Sequence, residues 1–221
     1  MKYDYDTIKR IFKITDSNCG NTEFEIIEKE KRLEFTLPEE LKRFYLTFGK
    51  NDIIRSAINE FVQLENLKID DDGRLVVFYD NQTTHCLFFK IDEILKGEVI
   101  FHGQTLMNNK WKFKTQEIFS TIMSKCLQAA LYNLDFRAIK FGVNRKEIED
   151  IDLNFKQLGK YSEFTNTTFF QNNPNQLIGV NTSEYTVLAS IASNNQHDFD
   201  RILERLKIDW EFLIENGEVK I

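Results

Sequence analysis

The sequence has little that would interrupt or cross-link a fold. Only two of its 221 residues are proline and nine are glycine, which disfavours a linker-rich or disordered chain. The three cysteines, Cys19, Cys86 and Cys126, are odd in number and far apart, with no C-x-x-C. A disulfide framework is disfavoured, and the cytosol (a cytoplasmic location) is the expected compartment. No apolar run approaches the ~20 residues that span a bilayer. The opening M-K-Y-D-Y-D-T-I-K-R-I-F-K is charged throughout, unlike a signal peptide. There is no Gly-rich phosphate loop and no G-x-S-x-G.

What is present points to an ordinary packed core. Twenty phenylalanines supply bulk for it. A chain of this size buries roughly 70–75% of the surface its unfolded form exposes, so it needs no metal or disulfide to be stable. Net charge is −6, from 29 basic and 35 acidic residues spread through both halves. Nucleic acid is disfavoured as a partner, since phosphate binding needs a concentrated basic surface. An acidic chain suits a basic partner.

The clearest local signal runs from Leu33 to Gly49. Pro38 precedes Leu41, Phe44, Tyr45 and Phe48, whose spacing puts one apolar stripe on a helix. Pro suits the first helical position, and Glu39 and Glu40 suit the first turn. Gly49 is available to close the helix in the left-handed conformation. Upstream, Ile8, Ile11 and Phe12 predict a short helix with Asp6 as cap, and Ser17 to Asn21 reads as a loop. Thr22 and Glu25 predict a capping box opening a helix over Glu23 to Arg32 that buries Phe24, Ile27 and Ile26.

A β region is predicted next. Phe61 to Ile69, Leu75 to Tyr79 and Thr84 to Ile91 read as strands of an antiparallel meander. Turns fall at Asp70-Asp71-Asp72-Gly73 and Asp80-Asn81-Gln82-Thr83. Trp111 precedes a helix over Gln116 to Tyr132, capped by Thr115, whose buried face runs from Ile118 and Phe119 to Ala130 and Leu131. After a junction at Asn133 to Phe141 come a charged helix over Arg145 to Leu158 and strands at Glu163 to Phe170, Leu177 to Val180 and Tyr185 to Ala192. A helix over Asp198 to Leu206 follows, striped by Phe199, Ile202, Leu203 and Leu206. The division expected is 1–132 as a core and 133–221 as an α/β extension packed on it as one globular unit.

Chemistry-bearing residues do not converge in the sequence. His85 and Cys86 are neighbours on a strand and point to opposite faces. His102 reads as part of a Gly-containing turn, and His197 stands alone. Cys86 and Cys126 read as small core residues, which leaves Cys19 as the exposed thiol. Asp70, Asp71 and Asp72 lack the EF-hand spacing and read as a solvated turn. Lys110-Trp111-Lys112-Phe113-Lys114 alternates as a protected edge strand does. The same alternation could stack on a single-stranded nucleic acid, but the acidic chain favours the edge reading. No catalysis, no cofactor and no metal are expected.

The segment Leu33, Phe35, Leu37-Pro38, Leu41, Phe44-Tyr45 and Gly49 resembles the signature of the SMI1/KNR4, or SUKH, superfamily. The hairpin from Leu75 to Ile91 and Trp111 before a helix resemble its middle and close, so the likeness covers Glu23 to Leu131. The chain departs from the pattern at Glu34, where a glycine is common, and at Cys86 to Phe89, where a tryptophan is often seen. The resemblance implies an α+β fold. For bacterial members it implies an immunity protein that neutralises a polymorphic or contact-dependent toxin by stoichiometric occlusion. An intracellular regulatory scaffold is the alternative. The implied partner is a cognate toxin, a basic nuclease among the candidates, with no nucleic acid or membrane bound directly and the oligomeric state open. Net acidity and the carboxylates clustered at the turns make Asp70, Asp71, Asp72, Asp80 and Glu93 the candidate partner-binding residues.

Overall fold

The computed structural model describes residues 5–15, 17–55, 59–80, 85–105, 112–160, 166–182 and 186–220. The chain divides into two compact units, Asp16–Ile122, and Met1–Thr15 together with Met123–Ile221. Both carry helices and antiparallel sheet, so the molecule is α+β. The first helix, α1 (Tyr5–Ile11), thus groups with the C-terminal half rather than with the first 132 residues. The reason is packing: Ile8 and Ile11 are fully buried, and Asn194 Nδ2 donates to the Ile11 carbonyl at 2.6 Å. Asp6 lies inside the helix rather than capping it.

In the unit Asp16–Ile122, a 3₁₀ turn at Ser17–Cys19 leads into α2 (Glu23–Leu33). The capping box forms as expected: Glu25 N–H donates to Thr22 Oγ1 at 3.2 Å, and Thr22 N–H to Glu25 Oε2 at 2.7 Å. The Thr22 backbone N–H, with Lys50, holds the Glu25 carboxyl down at about 2. The predicted buried face holds only at Ile26. Ile26 is buried, whereas Phe24 is 71% and Ile27 48% exposed.

Glu34 closes α2 at φ +58, a conformation that costs an L-residue about 1–2 kcal/mol and glycine far less. Glu34→Gly is expected to stabilise the protein by about 1 kcal/mol, read as a higher urea midpoint at unchanged slope. An unchanged or lower midpoint would count against this account of the turn.

Helix α3 (Glu39–Phe48) buries Leu41, Phe44, Tyr45 and Phe48. Pro38 stands just outside it and gives its carbonyl to Leu41 and Lys42. Gly49 is right-handed, φ −59, and not the expected left-handed closure. The Tyr45 carbonyl accepts both the Gly49 N–H at 3.0 Å and the backbone N–H of Asn21 at 2.8 Å, and Gly49 leaves room for that loop. A Cβ on Gly49 would lie 2.0 Å from Asn21 Oδ1.

A single helical turn, α4 (Asp52–Arg55), precedes the first sheet. Strands β1 (Asn59–Phe61), β2 (Arg74–Asp80), β3 (His85–Lys90), β4 (Phe101–Thr105) and β5 (Lys112–Thr115) form an antiparallel meander in chain order. Helix α5 (Ile91–Leu95) follows β3. The predicted strand Phe61 to Ile69 is mostly not strand. It holds a 3₁₀ turn at Leu64–Asn66, whose Leu64 and Leu67 are buried, and a single bridge from Ile69 to Leu75. Gly73 takes φ +69 at its turn, as expected. The second turn, past Asp80, and Lys110-Trp111 lie outside the described residues. Strand β5 pairs only with β4 among the described strands, which makes it an edge.

Register divides the sheet into two faces. Leu75, Phe78, Leu87, Phe89 and Phe101 face the side of α3, where Phe61 stacks on Phe44 with centroids 4.3 Å apart. Arg74, Val76, Phe88, Lys90, His102 and Lys114 share the other face.

Helix α6 (Ile118–Asn133) begins in one unit and ends in the other. Its side chains from Thr121 to Leu127 are all buried, Ser124 and Lys125 included. Thr115 accepts the Glu117 N–H but stands too early to be the cap.

The stretch expected to be a junction is instead β6 (Phe136–Phe141), the third strand of the second sheet. Phe136 and Ala138 alternate into its core. Helix α7 (Arg145–Asn154) carries an unforeseen capping box, Asn144 with Glu147. It ends four residues before the predicted end, because Phe155 turns extended and becomes buried. Strands β7 (Lys156–Lys160), β8 (Thr167–Gln171), β9 (Gln176–Thr182) and β10 (Val187–Ser193), helix α8 (Gln196–Leu206), and strands β11 (Phe212–Glu215) and β12 (Glu218–Lys220) follow. Residues 163–165 and 185, expected in strands, lie outside the described residues. The sheet order is β12-β11-β6-β10-β9-β8-β7, every pair antiparallel. Ile151 of α7 and Phe199, Ile202 and Leu206 of α8 pack on one face. On the other, α6 closes onto β9, where a Cβ on Gly179 would lie 2.3 Å from Leu131.

Candidate functional site

The acidic turn residues are drawn into local pairs. Asp70 accepts backbone N–H groups from Asp72 at 3.0 Å and Arg74 at 2.9 Å, and pairs with Arg74 Nε at 2.8 Å. Burial pushes the Asp70 carboxyl up, but these bonds and the Arg74 charge outweigh it and hold it below its ordinary value. Asp72 takes the other arm of Arg74 at 2.8 Å, and the guanidinium lies 5.4 Å from the Phe88 ring centroid. Asp80 accepts the His85 backbone N–H at 2.9 Å and sits 3.1 Å from its Nδ1. Asp71 and Asp72 are the exposed members of the predicted set.

Glu93 hangs from α5 over the sheet face and meets His102 Nε2 at 2.5 Å, with Lys90 Nζ at 3.7 Å. His102 is buried on β4, not in a turn, and stacks on Phe88 at 5.3 Å. Gly103, the residue that suggested a turn, stands within the strand opposite Leu87 and Phe113. Burial raises the Glu93 carboxyl, but the bond to His102, its charge, and the charges of Lys90 and Lys114 outweigh that and lower it. A lowered carboxyl contributes stability above its unfolded value near 4.5, which is lost as pH falls through the lower folded value. Stability is therefore expected to drop below pH 4.5. His102→Gln, which keeps a donor but no charge, should shrink that drop in urea melts across pH 3–6. The same pH dependence in both proteins would contradict the linkage.

Clefts lie among the described residues of this unit. One of about 310 Å³ is bounded by Phe88, Lys90, His102, Gln104 and Lys114. A second, of about 550 Å³, is bounded by Val62, Glu65, Asp70, Val76 and Tyr79. A third, of about 280 Å³, is bounded by Phe24, Glu25, Glu28, Lys29, Arg32 and Glu65. Glu65 lines both of the latter, so the two adjoin. Sequence reasoning missed Phe24 as a surface residue, because its helical spacing with Ile27 resembles a core stripe. It also missed Lys90 and Lys114, whose shared face becomes visible only through the strand register.

Neither a protein-family model, nor a curated protein, nor a solved structure matches the chain. The chemistry of the clefts must be argued from their residues. Among the described residues no three His, Cys, Asp or Glu side chains converge as metal ligands would. Burial pushes the Cys86 and Cys126 thiols up, away from nucleophilic thiolate. Cys19 is partly exposed, with Asn51 Nδ2 3.7 Å from its sulfur. Among the described residues no helix is long and apolar enough to cross a membrane.

Proposed function

We propose that this chain is a non-catalytic binding protein that neutralises a toxin by occlusion, as its resemblance to SMI1/KNR4 proteins implies. The observation that carries the reading is Phe24. A large ring stands 71% exposed and lines a cleft whose charged residues are Glu25, Glu28, Glu65, Lys29 and Arg32. An exposed aromatic suits the role of anchor in a protein interface, while Glu25 and Glu28 beside it are paired with Lys50 and Lys31, so the ring and not a net charge at this cleft carries the reading. Glu34 lends a second support. Its positive φ is a conformation that glycine, common at this position in the family it resembles, takes without strain. Of the predicted acidic set, Asp71 and Asp72 remain best placed to steer, while Asp70, Asp80 and Glu93 act through Arg74, His85 and His102.

The reading requires a toxin encoded beside this gene, and the test mixes that neighbouring gene's product with this chain. A 1:1 complex and protection of toxin-expressing cells are expected. Phe24→Ala should weaken the complex about 30-fold, as loss of an aromatic anchor worth about 2 kcal/mol would. It should leave the urea midpoint within about 0.5 kcal/mol, as an exposed substitution does. A complex of undiminished affinity would remove Phe24 from the interface, and no complex at all would remove the toxin reading.

A further inference from the structure

The second sheet ends in an open edge among the described strands. Strand β12 pairs with β11 and with nothing else among the described strands. Asn216 and Gly217, at φ +51 and +82, make the two-residue turn between them. Asn216 N–H donates away from β12, to the Asp135 carbonyl at 2.9 Å. By the alternation of an antiparallel ladder, Glu215 and Glu218 then exchange bonds with each other. Val219, opposite Ile214, turns its N–H and C=O to the open edge.

The side chains on that strand are self-complementary. Glu218-Val219-Lys220 laid antiparallel on itself about Val219 sets Glu218 opposite Lys220 at both ends. Within one chain the charges fit less well. Glu218 stands across from Glu215, and like charges directly opposite are unfavourable. Lys220 answers Glu218 at 3.0 Å from its own strand, and a second copy would bring another lysine to each glutamate. Val219 also extends an apolar strip. It is 59% exposed, and Phe212 and Phe141, edge to face at 6.3 Å, lie on the same sheet face. The far edge of this sheet is different: the register of β7 on β8 is broken by a bulge, which discourages pairing.

We propose that two copies of this chain associate through β12, each Val219 exchanging both backbone bonds with the partner's Val219. The sheet then continues across a two-fold axis. A three-residue edge buries far less than the ~800 Å² per partner of a standard interface, so the dimer is weak, with a Kd on the order of 100 µM.

Sedimentation of the 221-residue chain from about 10 µM to 1 mM tests this, the range bracketing the proposed Kd. The wild type should pass reversibly from monomer to dimer, less readily at high salt. Glu218→Lys sets lysine against lysine, and Lys220→Glu sets glutamate against glutamate. Each should weaken association at least tenfold. Mixing these two variants should restore it, as should the double exchange E218K/K220E. Circular dichroism melts, expected to match the wild type, check that each variant is folded. A wild type monomeric at 1 mM, or single variants that associate as the wild type does, would overturn the proposal.

Discussion

Phe44→Ala is expected to destabilise the protein by about 3–5 kcal/mol, the range for deleting a buried aromatic ring. The ring is fully buried, 4.3 Å from Phe61 and within aromatic contact of Tyr45 and Phe48. Phe61 in turn meets Phe78 at 5.2 Å, so the ring sits where α3 joins the first two strands. Little can collapse into the vacated space, because Tyr45 is held by its own hydroxyl, which donates to the Val62 carbonyl at 2.7 Å. Urea unfolding of the variant measures the loss. A change under about 1 kcal/mol, small for any buried large-to-small change, would show that α3 is not packed on the sheet as described.

Gly20→Ala should cost about 3 kcal/mol, the upper part of the range for overpacking. A Cβ there would stand 1.7 Å from the Leu46 carbonyl oxygen and 2.4 Å from its carbon. Both are helix backbone, so no rotamer change relieves the clash. The loop would have to lift off α3, taking with it the Asn21 and Lys50 backbone bonds that tie loop and helix together. The measurement is again the urea midpoint, with Gly73→Ala as a contrast. Gly73 has open space around it, so any cost there comes from its φ of +69 alone. Equal costs at the two positions would mean that contact is not what Gly20 avoids.

These two glycines show where sequence reasoning reaches and where it stops. The Thr22–Glu25 box and the α8 stripe were legible because every atom involved lies within one or two turns of chain. The requirement at Gly20 was not, because the atom it avoids lies 26 residues away, on Leu46. Gly103 suggested a turn by its composition. In the fold it is a strand residue with bulky cross-strand neighbours, and that error hid His102 and its bond to Glu93. The turn at Asp70 to Gly73 read correctly as a turn, yet Asp70 and Asp72 are both paired with Arg74. The final hairpin did carry a readable signal, Asn216-Gly217 between two alternating runs, which a search for helix stripes passes over. Phe24 failed for another reason: periodicity tells which residues share a face, not which face meets the core.

Helix α1 bonds to a residue 183 positions further along, through Asn194 and the Ile11 carbonyl. On a ribosome adding ~5–20 residues per second, that partner emerges ~10–40 s after Ile11 does. Ile8 and Ile11, fully buried in the finished protein, are therefore made well before the residue that ties their helix down. The segment Asp16–Ile122 has its whole sequence synthesised during that wait. Closing so long a loop is slow and favours late docking, so a chain stalled before Asn194 would display the apolar face of α1. Chaperone capture of the nascent chain should accordingly fade only when the last strands of the second sheet are released.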